Sequence, residues 1–318
     1  MSTRFTRLLI LLLAAAVLAA AVGCGGDDNT TTSTGGGGAG GGEQPGKGKP
    51  AVTIGTKDFT EEFILGNLYA QALQAKGYKV NLKENIGATE ITDKALTSGT
   101  IDAYPEYTGE TTATVFGKNK LYKSAEETAN DAKALYEKRG QVVSNPTPFE
   151  DVDAIATTKE FAQKNGLSEV EDLKKLPSFT LGARPEFKDR FVGLKGMEKV
   201  YGIHNAKFKQ LALGLQYPSL DKGDVDTANV FSTDAQLASG KYTVLKDPKG
   251  VFGFQNILFV INKDKLDQLG GQQFMDIINK VNSLLTDEAM RSMNSAVDID
   301  KKKPADVAKA FLQANNMA

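Results

Sequence analysis

The alternation of short apolar runs with longer amphipathic ones is the feature that most narrows what residues 51–104 can fold into. Residues 51–57, AVTIGTK, read as a short buried strand. Asp58 is placed to cap a helix with Glu61 three residues on, and Phe63, Ile64, Leu68, Ala72 and Leu73 then fall near one helical stripe that stops at Gly77. A second strand over 78–86, a second helix over 90–96 and a third strand over 101–104 complete a β-α-β-α-β unit. Right-handed crossovers make such strands parallel, and open parallel sheets receive ligands beyond the carboxyl ends of their strands. That rule puts Lys57, residues 87–89 and residues 105–110 on one rim.

The alternation continues downstream. A charged helix over 124–140 leads into 141–149, which carries two prolines. Strands follow at 152–157, 179–183, 206–211, 225–230 and 242–246, with helices at 159–164, 189–201 and 233–239 between them. Residues 253–261 then read as a strand returning to the first part, with two helical stretches after it. The expected class is α/β with two lobes and a cleft between them. Lobe I takes 51–150 and 247–318, and lobe II, inserted into it, takes 151–246.

Before this body lies a different kind of chain. Arg4 and Arg7 precede an unbroken apolar run of 15 residues, 8–22, which is short for a membrane span of about 20 residues and reads as part of a signal peptide over 1–23. Ala21-Val-Gly-Cys24 resembles a bacterial lipobox, with alanine where leucine is more common, and makes Cys24 the expected lipid attachment point. Residues 24–50 read as a tether: 12 of the chain's 32 glycines fall between 23 and 50, and from 25 to 50 there is no aromatic and no aliphatic larger than alanine. Such a segment cannot bury enough apolar surface to offset its ordering entropy. The expected location is outside the cytoplasm, anchored to the outer face of the bacterial cell membrane.

Composition excludes several functions. With one cysteine there is no intrachain disulfide and no CxxC metal site, and with one histidine, His204, a histidine cluster cannot be built. A net charge of −1 gives no basic stripe for nucleic acid. No cofactor and no metal are expected. His204 sits in a turn and reads as a surface residue, and the 301–303 lysine run and the charged helix face over 126–139 read as solvated surface.

Several segments, in order, resemble the substrate-binding proteins of ABC importers for glycine betaine, choline, carnitine and related osmoprotectants. They are Ile54-Gly-Thr-Lys-Asp-Phe59, Gly99-Thr-Ile-Asp-Ala-Tyr-Pro-Glu-Tyr-Thr-Gly109, Leu181-Gly-Ala-Arg-Pro-Glu-Phe187 with Arg190, Tyr201-Gly202, Gln216-Tyr217, and Gly223-Asp-Val-Asp226. The resemblance spans 52–312 and implies a two-lobed, type II periplasmic-binding-protein-like fold that closes on a ligand and delivers it to a permease and its ATPase. It implies a monomer that meets the membrane only through its lipid. It also assigns roles: Tyr107 and Tyr217 match cage positions, Lys57 and Arg190 match residues that hold a carboxylate, and Asp151 matches an acid at the cage edge.

The departures concern the ligand. Asp153 stands where many members carry a cage tyrosine, Phe231 replaces another, and Glu110 stands where a threonine is common. In one reading Asp153 is the counter-charge to a quaternary ammonium caged by Tyr107, Tyr217 and Phe231, each ring contributing about 0.5–2 kcal/mol. In the other, Asp153 or Glu110 accepts hydrogen bonds from a protonated amine or from hydroxyls, and the ligand is a different amine or a polyhydroxy compound. Structural alternatives stand beside these: Asp153 as a hinge carboxylate, Arg190 paired with Glu186 on one helix, and Tyr104 and Tyr122 as packing residues. A hydrolase using carboxylates among Glu106, Glu110, Asp151 and Asp153, and a ligand sensor without transport, are the remaining classes.

Overall fold

The structure, a computed structural model, describes residues 44–317; Cys24, the apolar run before it and most of the expected tether lie outside the described residues. The last of the expected tether belongs to the body. Residues 45–48 form a turn in which the Gly46 amide donates to the Lys76 carbonyl at 3.0 Å. Among the described residues no helix is long and apolar enough to cross a membrane.

Two five-stranded sheets organise the chain. The first contains β1 (Val52–Gly55), β2 (Val80–Lys83), β3 (Ala103–Tyr107), β4 (Gln141–Val143) and β10 (Ile257–Asn262), in the order β2-β1-β3-β10-β4. The second contains β5 (Asp153–Thr158), β6 (Phe179–Ala183), β7 (Ala206–Gln210), β8 (Thr227–Phe231) and β9 (Tyr242–Leu245), in the order β7-β6-β8-β5-β9. β1 is parallel to β2 and β3, as the right-handed crossover rule requires, and β6 is parallel to β7 and β8. In each sheet the strand that enters from the other half is the antiparallel one: β10 runs against β3 and β4, and β5 against β8 and β9. This is the two-lobed α/β architecture expected from the alternation.

Local differences have local causes. Helix α1 (Thr60–Ala75) is capped at Phe59 with no side-chain bond, so Asp58 does not cap it. Glu61 and Glu62 turn inward instead, and both are buried. The third strand runs to Tyr107 and not to 104, because Pro105, whose missing amide would be costly in a central strand, keeps its antiparallel register with Phe259. Of the helix expected over 189–201 only 194–201 is helical; a 3-10 turn at Pro185–Lys188 comes before it, with a non-helical gap over 189–193. A helix missed in the sequence, Gln216–Asp221, carries Tyr217, and four helices follow β10 where two stretches were expected.

The first core packs α1 and helices Gln272–Leu284, Asp287–Asp298 and Pro304–Ala314 on the first sheet around Leu68, Tyr69, Phe259, Phe274 and Ile278. The second gathers Ile155, Phe179, Leu181, Phe187 and Phe252. Two chain segments, 144–152 and 246–256, cross between the sheets side by side, bridged at Glu150 and Asn256 and by the Asp151 amide on the Gln255 carbonyl at 3.2 Å.

The end of β3 docks on this crossing. Thr108 donates its amide to the Asn256 carbonyl at 3.0 Å and its hydroxyl to the Phe254 carbonyl at 2.9 Å, and the Glu110 amide donates to Gln255 Oε1 at 3.1 Å. A Cβ on Gly109 would lie 2.7 Å from Gln255 Nε2 and 2.8 Å from the Phe254 oxygen, which is the physical reason for glycine there. Gly109→Ala is expected to cost about 1–3 kcal/mol of unfolding free energy, measured by urea denaturation, because it forces the rim away from the hinge.

Candidate functional site

Several strands deliver charged or aromatic side chains to the cleft at or just past their carboxyl ends, as expected for parallel sheets. From β1 comes Lys57, 4% exposed, with its amide on Glu62 Oε2 at 3.0 Å. Its ammonium donates to Thr89 Oγ1 at 3.2 Å, pairs with the Glu106 carboxylate, and lies 4.3 Å from the centre of the Tyr107 ring. Tyr107 ends β3, and its hydroxyl donates to Glu61 Oε1 at 2.9 Å.

From the second sheet comes a pair whose cation had no assigned role in the sequence. Arg184, just past β6, grips Asp153, the first residue of β5, with two parallel bonds of 2.6 and 2.8 Å, and donates to Asn229 Oδ1 at 2.6 Å. Burial works against the charge of Arg184, and the Asp153 carboxylate outweighs it. Asp153 therefore already has a full partner. Arg184 also lies 5.1 Å from the Phe231 ring centre. The signal for it was available: it lies at the carboxyl end of a strand, as Lys57 does.

Arg190 spans the cleft. It donates Nη2 to Glu90 Oε2 at 2.8 Å and Nη1 to Glu110 Oε1 at 3.0 Å, two acids of the first lobe. The pairing with Glu186 on one helix does not form, because 186 lies in the 3-10 turn and 190 outside it; Glu186 lies 3.2 Å from Arg184 Nε instead. With the Arg190 pairs and the bond from Thr233 Oγ1 to Glu61 Oε2 at 2.7 Å, the lobes are drawn together.

A cavity of about 40 Å³ lies at their meeting, lined by Lys57, Tyr107, Glu110, Asp151, Asp153, Arg190 and Phe231 together with Phe59, Thr89 and Arg184. Seven of the eight ligand candidates thus converge. The eighth, Tyr217, faces a neighbouring cavity of about 280 Å³; its hydroxyl donates to Asp234 Oδ2 at 2.8 Å and its ring packs on Tyr242. The rings side by side at the first cavity are Tyr107, Phe59 and Phe231. Phe59 stacks on Phe231 with centres 5.4 Å apart and lies 6.1 Å from Tyr107. The three-sided arrangement of Tyr107, Tyr217 and Phe231 is therefore replaced by one in which Phe59 takes the middle place. Phe59 was in a quoted motif, but nothing in the sequence shows that its ring turns into the cleft while Asp58 stays exposed.

A family model described as the substrate binding domain of ABC-type glycine betaine transport system matches residues 50–314. The chain belongs to this family. It is 32% identical over 276 residues to a glycine-betaine-binding protein of Pseudomonas aeruginosa, covering 83% of this chain and 88% of that one. It is also 32% identical over 268 residues to an ergothioneine transport permease/ergothioneine binding protein of Helicobacter pylori, covering 83% of this chain and 47% of that longer one. Among solved structures, that of a glycine betaine/carnitine/choline ABC transporter protein superposes with a TM-score of 0.67 at 26% identity, covering 84% of this chain and 99% of the other. The family expected from the Tyr-Pro-Glu-Tyr-Thr-Gly run and its companions is borne out: this is a substrate-binding component of an ABC transport system.

Burial sets the protonation of the acids behind the cleft. It pushes the Glu62 carboxyl up to about 8 against the pull of Lys57, and Glu61 up to about 7 against the hydrogen bonds from Thr233, Asn294 and Tyr107. Asp234 rises to about 6 for the same reason, and Asp151 rises through burial and the repulsion of Glu61 and Asp234. Raised carboxyl values mean that the folded protein holds protons the unfolded chain has released, so stability falls as pH rises from the ordinary value of 4.5 through about 7 and 8. Calorimetric melts are expected to show a Tm that declines between about pH 5 and about pH 9, and Glu62→Gln to flatten the upper part of that decline.

Proposed function

We propose that this chain captures a small quaternary ammonium compound of the glycine betaine, carnitine and choline class outside the cytoplasm and hands it to an ABC permease. In this reading it is a monomer, held at the membrane by a lipid on Cys24. Its lobes, 51–150 with 247–318 and 151–246, open and close about the paired crossing segments.

The observation that carries the reading is the pairing of charges around the row of rings. Lys57 has Glu106, Arg184 has Asp153, and Arg190 has Glu90 and Glu110, so each fixed cation already has a carboxylate. Asp151, 5% exposed, adds a further acid beside Tyr107, Phe59 and Phe231. The negative ring faces favour a cation that offers no N–H donor, and the neighbouring acids favour a cation in general. The ligand's anionic end has partners in the donors that Lys57 and Arg190 do not use on their present acids: Arg190 has five N–H groups, of which three are engaged within the protein.

The same pairing supports binding without catalysis. Three of the four carboxylates considered for hydrolysis, Glu106, Glu110 and Asp153, are held by cations, which leaves no separated acid and base of the kind glycoside hydrolysis needs. Closure fits the ligand role. A cavity of about 40 Å³ has room for a few waters, so a small organic ligand is better accommodated once the lobes part or Phe59 turns aside. Contacts made only in the closed form then shift the population towards it.

Titration calorimetry of the protein with glycine betaine, choline, carnitine and an amino-acid panel tests this. Heat with at least one quaternary amine is expected, and Tyr107→Ala is expected to weaken that ligand by about 1 kcal/mol, or about fivefold. No heat with any quaternary amine overturns the reading. For the anchor, Cys24→Ser is expected to move the protein from the membrane fraction to the soluble extracytoplasmic fraction of expressing cells.

A further inference from the structure

Glu110 stands where a carboxylate of the ligand would be held. It comes from the rim of the first lobe, is 6% exposed, and is fixed by its amide on Gln255 Oε1 at 3.1 Å. Its Oε1 accepts from Arg190 Nη1 at 3.0 Å and lies 3.8 Å from Arg184 Nη2, so one protein carboxylate sits between the two buried guanidinium groups of the second lobe. The other oxygen is different. Oε2 is buried and receives no hydrogen bond among the described residues. A buried acceptor without a donor is costly, and a charged one makes the stronger bond when a donor arrives. Glu110 lines the first cavity beside Tyr107 and Phe231, so a molecule bound there can bring that donor.

Members of the proposed ligand class differ in what they offer this oxygen. An alcohol has a proton to give to Oε2. A carboxylate has none, and to reach the two N–H groups that Arg190 keeps free it must stand beside Glu110 on the same guanidinium, where the like charges repel. The other two cations give it no better place, since Asp153 holds Arg184 by both oxygens and Glu106 holds Lys57. Arg190 meets Glu110 only when the lobes are together, so the discrimination acts in the closed form that retains the ligand.

We infer that Glu110 is a specificity-determining residue of the cleft: it takes the place of a ligand carboxylate on the arginines and accepts a hydrogen bond from a ligand hydroxyl, so that the chain selects a quaternary ammonium alcohol over a quaternary ammonium carboxylate. The inference rests on the quaternary ammonium reading above and orders the members of that class. The rings meet the same methylated nitrogen in either ligand, which leaves its far end to decide between them.

Choline and glycine betaine share the trimethylammonium group and end on a hydroxyl and a carboxylate respectively, so titration calorimetry with the two is the test. Choline is expected to bind about tenfold or more tightly than glycine betaine. Glu110→Gln keeps the size of the side chain, removes its charge and supplies an N–H donor; it is expected to tighten glycine betaine about fivefold and to weaken choline about fivefold, with thermal melts confirming that the variant folds. A residue that served only to hold the lobes together would move both ligands in the same direction. Glycine betaine binding as tightly as choline to the unaltered protein overturns the inference and leaves the quaternary ammonium reading standing, and this comparison decides alone if Glu110→Gln does not fold. A folded Glu110→Gln protein that shifts both affinities in one direction overturns it too. Heat with neither ligand overturns the inference, and heat with no quaternary amine, carnitine included, overturns the quaternary ammonium reading as well.

Discussion

Three buried cations, Lys57, Arg184 and Arg190, meet within one cleft, and the cost of burying each unpaired would be several kcal/mol. Each is therefore matched to an acid, and where the acid sits decides the geometry. Lys57 finds Glu106 within its own lobe, which fixes the ammonium against the Tyr107 ring. Arg184 reaches across β8 to Asp153, two strands over in its own sheet, which locks the floor of the second lobe. Arg190 finds Glu90 and Glu110 across the cleft, so its pairing exists only when the lobes are together. Local pairs shape the walls, and the crossing pair ties closure to the site.

The hinge and the rim are joined by the same economy of polar groups. Thr108 and Glu110 satisfy the carbonyl and side-chain groups of the 254–256 segment, and Gly109 lets the two backbones approach closely enough to do so. Motion at the crossing therefore moves Tyr107 and Glu110 relative to Arg190. Across from them, Glu61 collects Tyr107, Thr233 and Asn294, which come from β3, the second lobe and a late helix. Its carboxyl, pushed up to about 7 by burial, is a polar centre that both lobes share.

Much of the site was legible in the sequence because it follows periodicity. Tyr107 and Phe231 close strands and Lys57 lies two residues past one, and strands of parallel sheets end at the cleft. The aligned acid Asp153 was legible as a position but not as a role. Its partner Arg184 is 31 residues away, brought beside it by the order β6-β8-β5, and no local pattern encodes that adjacency. Tyr217 was expected to share a cage with Tyr107, yet its helix turns it into the next cavity, and Phe59 comes between. Arg190 failed as a helix partner of Glu186 because the 3-10 turn carrying 186 ends at Lys188, before 190.

The sequence by itself determined the α/β class, the two-lobed organisation, the family and the rim on which the charged and aromatic residues stand. These depend on hydrophobic period and on residues near one another in the chain, where backbone geometry leaves few choices. Only the tertiary structure decided which acid neutralises which cation, and that Phe59 stands between two cavities of the cleft. Those outcomes depend on side chains from strands and helices far apart in sequence, and the low dielectric of a buried cleft makes each pairing too costly to leave unmade.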